Sequence, residues 1–163
     1  MSTAAATPVS GDHARALAPV LCTLLALFLL RVTGQALVAF LDVRWLPPMR
    51  EWYSGLLPYP LLLPSQLLTI VVLAWVCRDF MRGRGWFVTP HARLGAWSTG
   101  FGLLYLGAMI VRYAVRMALD PEARWLGGSI PIVFHCVLAT FLLVFGRYHR
   151  GRSASMPPPV PGG

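Results

Sequence analysis

Leu17-Ala18-Pro19-Val20-Leu21-Cys22-Thr23-Leu24-Leu25-Ala26-Leu27-Phe28-Leu29-Leu30-Arg31-Val32-Thr33-Gly34-Gln35-Ala36-Leu37-Val38-Ala39-Phe40-Leu41 decides the fold. A helix needs about 20 mostly apolar residues to cross the hydrocarbon core, and this run exceeds that. It holds nine leucines and two phenylalanines. Each of these favours insertion by about 0.3 to 0.6 kcal/mol, against a penalty of about 2.5 to 3.5 kcal/mol for the central Arg31. The sum favours a transmembrane helix. A cleaved signal peptide is the rival reading, because Arg15 precedes the apolar run. However, the apolar part of a signal peptide is only about 7 to 15 residues long, and Leu37-Val38-Ala39 imitates a cleavage site weakly.

Three further apolar stretches follow, at residues 61–76, 96–119 and 129–145. Charged residues make up 12% of the chain, against about 25% in soluble domains, so much of the surface is expected to face lipid. The fold class expected is all-α: a four-transmembrane-helix bundle over residues 15–150. Its spans lie at about 17–41, 61–79, 96–119 and 129–147. Residues 1–14 read as a disordered tail. So do residues 151–163, whose ending Pro157-Pro158-Pro159-Val160-Pro161-Gly162-Gly163 favours extended polyproline over a packed core.

All fourteen basic residues are arginines, and the net charge is +8. They form no single stripe, which argues against nucleic acid as a partner. A chain without lysine suggests a GC-rich genome and hence a bacterium. Arg15, Arg78, Arg82, Arg84, Arg93, Arg147, Arg150 and Arg152 fall on one side of the four spans, and Arg44, Arg50 and Arg124 on the other. By the positive-inside rule both termini are cytoplasmic, in the inner (plasma) membrane. Arg78, Arg82 and Arg84, interleaved with Gly83, Gly85, Trp86 and Phe87, suit anionic lipid headgroups. The first outer loop carries Trp45, Trp52, Tyr53 and Tyr59, residues of the headgroup region. Pro48 and Gly55 bracket a short interfacial helix within it.

Polar groups inside spans are expensive, so each one is a candidate for function. They are Arg31, Gln35, Ser65, Gln66, Arg112, Arg116 and His135. At about 1.5 Å per residue, Arg31 lies roughly 15 Å below the outer end of its helix; Gln35, Gln66, Arg112 and His135 lie roughly 8 to 10 Å below. Arg31 and Gln35 share a face at i and i+4, as do Arg112 and Arg116. All four helices thus bring polarity to the outer half. The candidate ligand-binding set is Arg31, Gln35, Gln66, Arg112, Arg116 and His135. Buried arginines need anions or carbonyls, supplied by an outer-loop acid or by an anionic ligand.

Two functions follow. The first is a non-enzymatic accessory or structural membrane protein. For it, Ala96, Gly100, Gly107, Ala114 and Ala118 would admit a partner subunit or a second copy. The alternative is a binder or carrier of a small anionic or amphipathic molecule, using the Arg/Gln/His cluster. A third reading, a single b-type heme, would take His91 and His149 as axial ligands, but one histidine pair is thin support. Cys22, Cys77 and Cys136 have neither C-x-x-C nor metal spacing and read as small hydrophobes. H-E-x-x-H, G-x-S-x-G and an intramembrane carboxylate pair are all missing, so no catalytic residue, metal or cofactor is expected.

Trp45-Leu46-Pro47-Pro48, Trp52-Tyr53-Ser54-Gly55-Leu56-Leu57-Pro58-Tyr59 and Gly127-Gly128-Ser129-Ile130-Pro131-Ile132-Val133-Phe134-His135 carry one resemblance. They resemble segments of a group of small bacterial four-helix membrane proteins without assigned function. The likeness spans residues 31–148 and implies the fold alone.

Overall fold

A computed structural model describes residues 8–41, 43, 45–48, 52, 59–119 and 130–153 of the 163-residue chain. Among the described residues four long helices are present: α1 (Pro8–Leu41), α2 (Tyr59–Arg82), α3 (Ala92–Leu119) and α4 (Ile130–Ser153). Each is long and apolar enough to cross a membrane. Large side chains such as Leu30, Leu68, Trp97 and Leu104 stand on the outside, where lipid rather than water solvates them at no hydrophobic cost. The chain is an all-α, four-helix, multi-pass membrane protein.

Backbone contacts link the four helices in the order α2–α1–α4–α3. α1 packs on α2 and on α4, and α3 packs on α4; α2 makes no close backbone approach to α3 or α4. The α3–α4 contact is the closest, and small residues permit it. A Cβ on Gly146 would lie 2.5 Å from Thr99 Oγ1 and 2.8 Å from the Thr99 backbone nitrogen. Gly95, Thr99 and Gly102, at i, i+4 and i+7, present the buried face of α3. Gly100 and Gly107 point elsewhere and meet nothing within 4 Å. The small-residue face that α4 uses is therefore a different one from the Ala96/Gly100/Gly107 face expected to admit a partner.

The hydrophobic core gathers at the end of the bundle that holds both termini. Ala14, Leu21, Cys77, Phe80, Phe141 and Tyr148 all belong to it. The rings of Phe80 and Tyr148 lie 4.8 Å apart, and His13 stacks on Tyr148 at 6.0 Å. This packing explains why α1 begins as early as Pro8, inside the stretch read from sequence as a tail. Ala14 is fully buried, and Asp12 pairs with Arg15 at 2.8 Å one turn along. At its other end α4 runs on to Ser153. Residues 1–7 and 154–163 lie outside the described residues.

The turn after α2 is ordered. Arg84 N–H donates to the Asp79 carbonyl (3.2 Å) and Gly83 N–H to the Phe80 carbonyl (3.1 Å). This is the paired bonding of a Schellman cap, with Gly83 in the left-handed region at φ 63°, a conformation glycine adopts without Cβ strain. Tyr148 Oη then donates to the Val88 carbonyl at 2.8 Å, fastening the turn to α4. Arg78, Arg82 and Arg84 are exposed around it.

Candidate functional site

Away from that core, toward the ends at Leu41, Tyr59, Leu119 and Ile130, the interior opens into a cavity of about 200 Å³. Every helix lines it: Phe28 and Arg31 from α1, Ser65, Gln66 and Thr69 from α2, Tyr105 from α3, and Phe134, His135 and Leu138 from α4. Of the polar residues singled out by sequence, Arg31, Ser65, Gln66 and His135 thus converge. Arg31 is 3% exposed. Its Nη2 donates to the Trp52 carbonyl at 3.2 Å, while its Nε is buried without a hydrogen-bond partner among the described residues.

Gln35 and Gln66 meet across the α1–α2 interface. Gln66 Nε2 donates to Gln35 Oε1 at 3.1 Å, and the two residues are 1% and 6% exposed. Gln35 Nε2 and Gln66 Oε1 are left without partners among the described residues. Amide groups can be turned end for end with little change in shape. Turning both would keep one Gln–Gln bond and exchange the acceptor that Gln66 offers the cavity for a donor. The pair can therefore suit either kind of group on a ligand.

His135 Nδ1 is bonded to the Pro131 carbonyl one turn back on α4, and its ring lies 5.7 Å from that of Tyr105. Arg112 and Arg116 are half-buried, but neither lines the cavity. Of the six residues expected from sequence, Arg31, Gln66 and His135 form its wall, and Gln35 stands behind Gln66. Tyr105, Ser65 and Thr69 complete the polar lining. Ser65 is among the polar span residues read from sequence but outside the expected site, and Tyr105 and Thr69 are additions from the structure.

Trp52 sits against α1 at Arg31 and Gly34. It is 8% exposed, its indole N–H donates to the Pro47 carbonyl at 2.9 Å, and its ring sits on Gly34, where a Cβ would fall 2.5 Å from Cη2. The rest of the short helix expected between Pro48 and Gly55 lies outside the described residues. So do Asp42, Glu51, Asp120 and Glu122. The two described carboxylates, Asp12 and Asp79, belong to the opposite end of the bundle, at Arg15 and the turn after α2 respectively.

The other candidate groupings give less. His91 and His149 do meet, through a bond from the His91 backbone N–H to His149 Nδ1 at 3.2 Å. The ring of Phe145 lies 4.4 Å from His149 and that of Trp86 4.9 Å from His91. This direct packing lends no support to a heme between them. Cys22 of α1 packs against the core cluster that includes Cys77 of α2, a proximity their separation in sequence concealed; both are free thiols. Among the described residues no group of three or more His, Cys, Asp or Glu is placed to hold a metal. No protein family, curated protein or solved structure matches the chain. Fold and cavity together define a class, a four-helix multi-pass membrane protein with a polar cavity in one half of its bundle.

Proposed function

We propose that this chain is a binding protein of the bacterial plasma membrane, with both termini cytoplasmic, whose outer-half cavity holds the anionic head of a small molecule. One observation carries the reading: Arg31 is 3% exposed at the wall of a cavity, with its Nε unpartnered among the described residues. An isolated buried guanidinium is costly, and nothing but an anion or further acceptors offsets that cost. Its planar fork suits a carboxylate or phosphate held by two hydrogen bonds. Gln66, His135 and Tyr105 surround the same space with neutral polar groups, which orient a ligand without competing for its charge.

The role of an accessory or structural protein accounts for four apolar helices but leaves the cavity and its arginine unexplained. The residues of the cavity also lack a nucleophile–base pair, so binding rather than catalysis is the chemistry proposed.

Native mass spectrometry of the protein released from gentle detergent tests this. Wild type is expected to carry an additional small-molecule mass, and Arg31→Leu, with its helical content unchanged, is expected to lose it. Retention of the same mass by Arg31→Leu would remove the cavity from the account.

A further inference from the structure

Resting on the reading just given, we infer that the ligand is a lipid: a single-chain amphiphile with a carboxylate or phosphate head, which enters sideways from the bilayer between α2 and the α3–α4 pair. The first argument is size. Pockets that enclose a whole drug-sized ligand measure about 300 to 1,000 Å³. At about 200 Å³ this cavity takes a head and its first few carbons. The remainder of any larger ligand must lie outside.

The second argument is where the wall is open. The backbone of α2 approaches neither α3 nor α4 closely; the side chains of Phe80 and Tyr148 bridge the gap at the core end, while the cavity is lined from both sides of it by Ser65 and Thr69 on one hand and Tyr105 and Phe134 on the other. Ser65 lines the cavity and is also exposed, so the space is open at its position. Ser65 stands five residues inside the apolar span that starts at Pro60, roughly 8 Å along the helix. The opening therefore faces acyl chains rather than water. In contrast, α1 and α2 are joined across their own interface by the Gln35–Gln66 bond.

The third argument is polarity. Arg31 and Gln66, the buried groups with unpartnered atoms, lie deep in the cavity, while Leu62, Phe134 and Leu138 supply apolar surface around them. A charged head at Arg31 and a tail leaving past Ser65 satisfies both. One chain passes such a slot with its head inside; a glycerophospholipid would have to bring its glycerol and two esters into the same small space.

Photo-crosslinking of the full chain in nanodiscs tests the inference, with a palmitate bearing a diazirine at mid-chain as probe. Labels are expected on α2 around Ser65 and Thr69 and on α3 around Tyr105. Unlabelled palmitate or hexadecyl phosphate should compete, and acetate or inorganic phosphate in large excess should not. Arg31→Leu is expected to reduce labelling there about tenfold, the equivalent of one charge-assisted hydrogen bond. Ser65→Trp, which fills the opening from its exposed rim, should reduce it too and provides a second variant if Arg31→Leu folds poorly. Equal competition by acetate or inorganic phosphate would show an anion site reached from water; the lipid inference would fall and the binding function would stand. Labels spread evenly over the exposed face of α3, unaffected by either substitution, would overturn the inference as mere boundary lipid. No labelling at the cavity and no competition by any of the four anions would overturn the binding function itself.

Discussion

Arg31 and Trp52, twenty-one residues apart, are joined by a hydrogen bond of 3.2 Å from the guanidinium of one to the backbone carbonyl of the other. The same tryptophan lays its ring against Gly34, one turn above Arg31 on α1. A long polar side chain at one position and no side chain at the next turn together seat the loop on the helix. The loop then holds one nitrogen of Arg31 and leaves Nε unpartnered beside the cavity.

Gly34→Ala is therefore expected to lift Trp52. Its new Cβ would start 2.5 Å from the indole ring, and overpacking of this kind costs about 1 to 3 kcal/mol. Thermal melting should fall and acrylamide should quench tryptophan fluorescence more strongly. Gly100→Ala, where nothing lies within 4 Å, serves as the control and should be neutral or stabilising by up to about 1 kcal/mol. Similar melting curves for the two variants would mean that Trp52 does not rest on α1.

The Gln35–Gln66 pair makes a second prediction. Gln66→Leu should destabilise, because it leaves the side chain of Gln35 polar, 1% exposed and without its partner. An orphaned buried polar group costs about 1 to 3 kcal/mol. Replacing both by leucine should recover part of the loss. Inter-helix hydrogen bonds in membranes couple by about 0.6 kcal/mol on average, with a maximum near 1.7. A double-mutant cycle is thus expected to return a favourable coupling in that range. Strict additivity of the two substitutions would show that the bond contributes nothing.

Much of this arrangement was legible before the structure. The four apolar runs specify four helices because a bilayer leaves the backbone few other solutions. Polar residues inside those runs were candidates because their burial is expensive, and three of them, Arg31, Gln66 and His135, line one cavity. What the sequence hid is rotation about each helix axis. Arg112 sits at the right depth, yet neither it nor Arg116 lines the cavity, since depth follows from counting residues and facing does not. The same ignorance of facing directed attention to Gly100 and Gly107 when α4 packs on Gly95, Thr99 and Gly102. Cys22 and Cys77 share one core cluster only because α1 and α2 are neighbours, which no spacing along the chain reveals.

Gly146→Ala is expected to be the more damaging of two small changes on α4. Its Cβ would meet Thr99 at 2.5 Å and the Gly95 carbonyl at 3.0 Å, and backbone cannot move aside as a side-chain tip can. Loss of about 1 to 3 kcal/mol is expected from forcing α3 and α4 apart. Gly151→Ala, with nothing within 4 Å, should be silent. A harmless Gly146→Ala would show that the two helices do not touch at this point.

The orientation proposed for the membrane has its own test. His13 and Tyr148 stack, which puts both ends of the four-helix unit at one face of the bundle, and eight arginines gather on that side of the sequence. A fluorescent protein fused after Gly163 should therefore be bright, and alkaline phosphatase at the same place inactive. The opposite pair of results would invert the topology and place the cavity in the cytoplasmic half.

The central claim is that Arg31 is kept in the bilayer to hold an anion from outside the chain. Its sharpest test is an experimental structure of the protein in native lipid, at a resolution that defines side chains. Density is expected in the cavity, bonded to Arg31 Nε and bounded by Gln66 and His135, with a tail running out past Ser65. A carboxylate of Asp42 or Glu51 folded onto Arg31, with no other density beside it, would contradict the claim and make the arginine part of an internal ion pair.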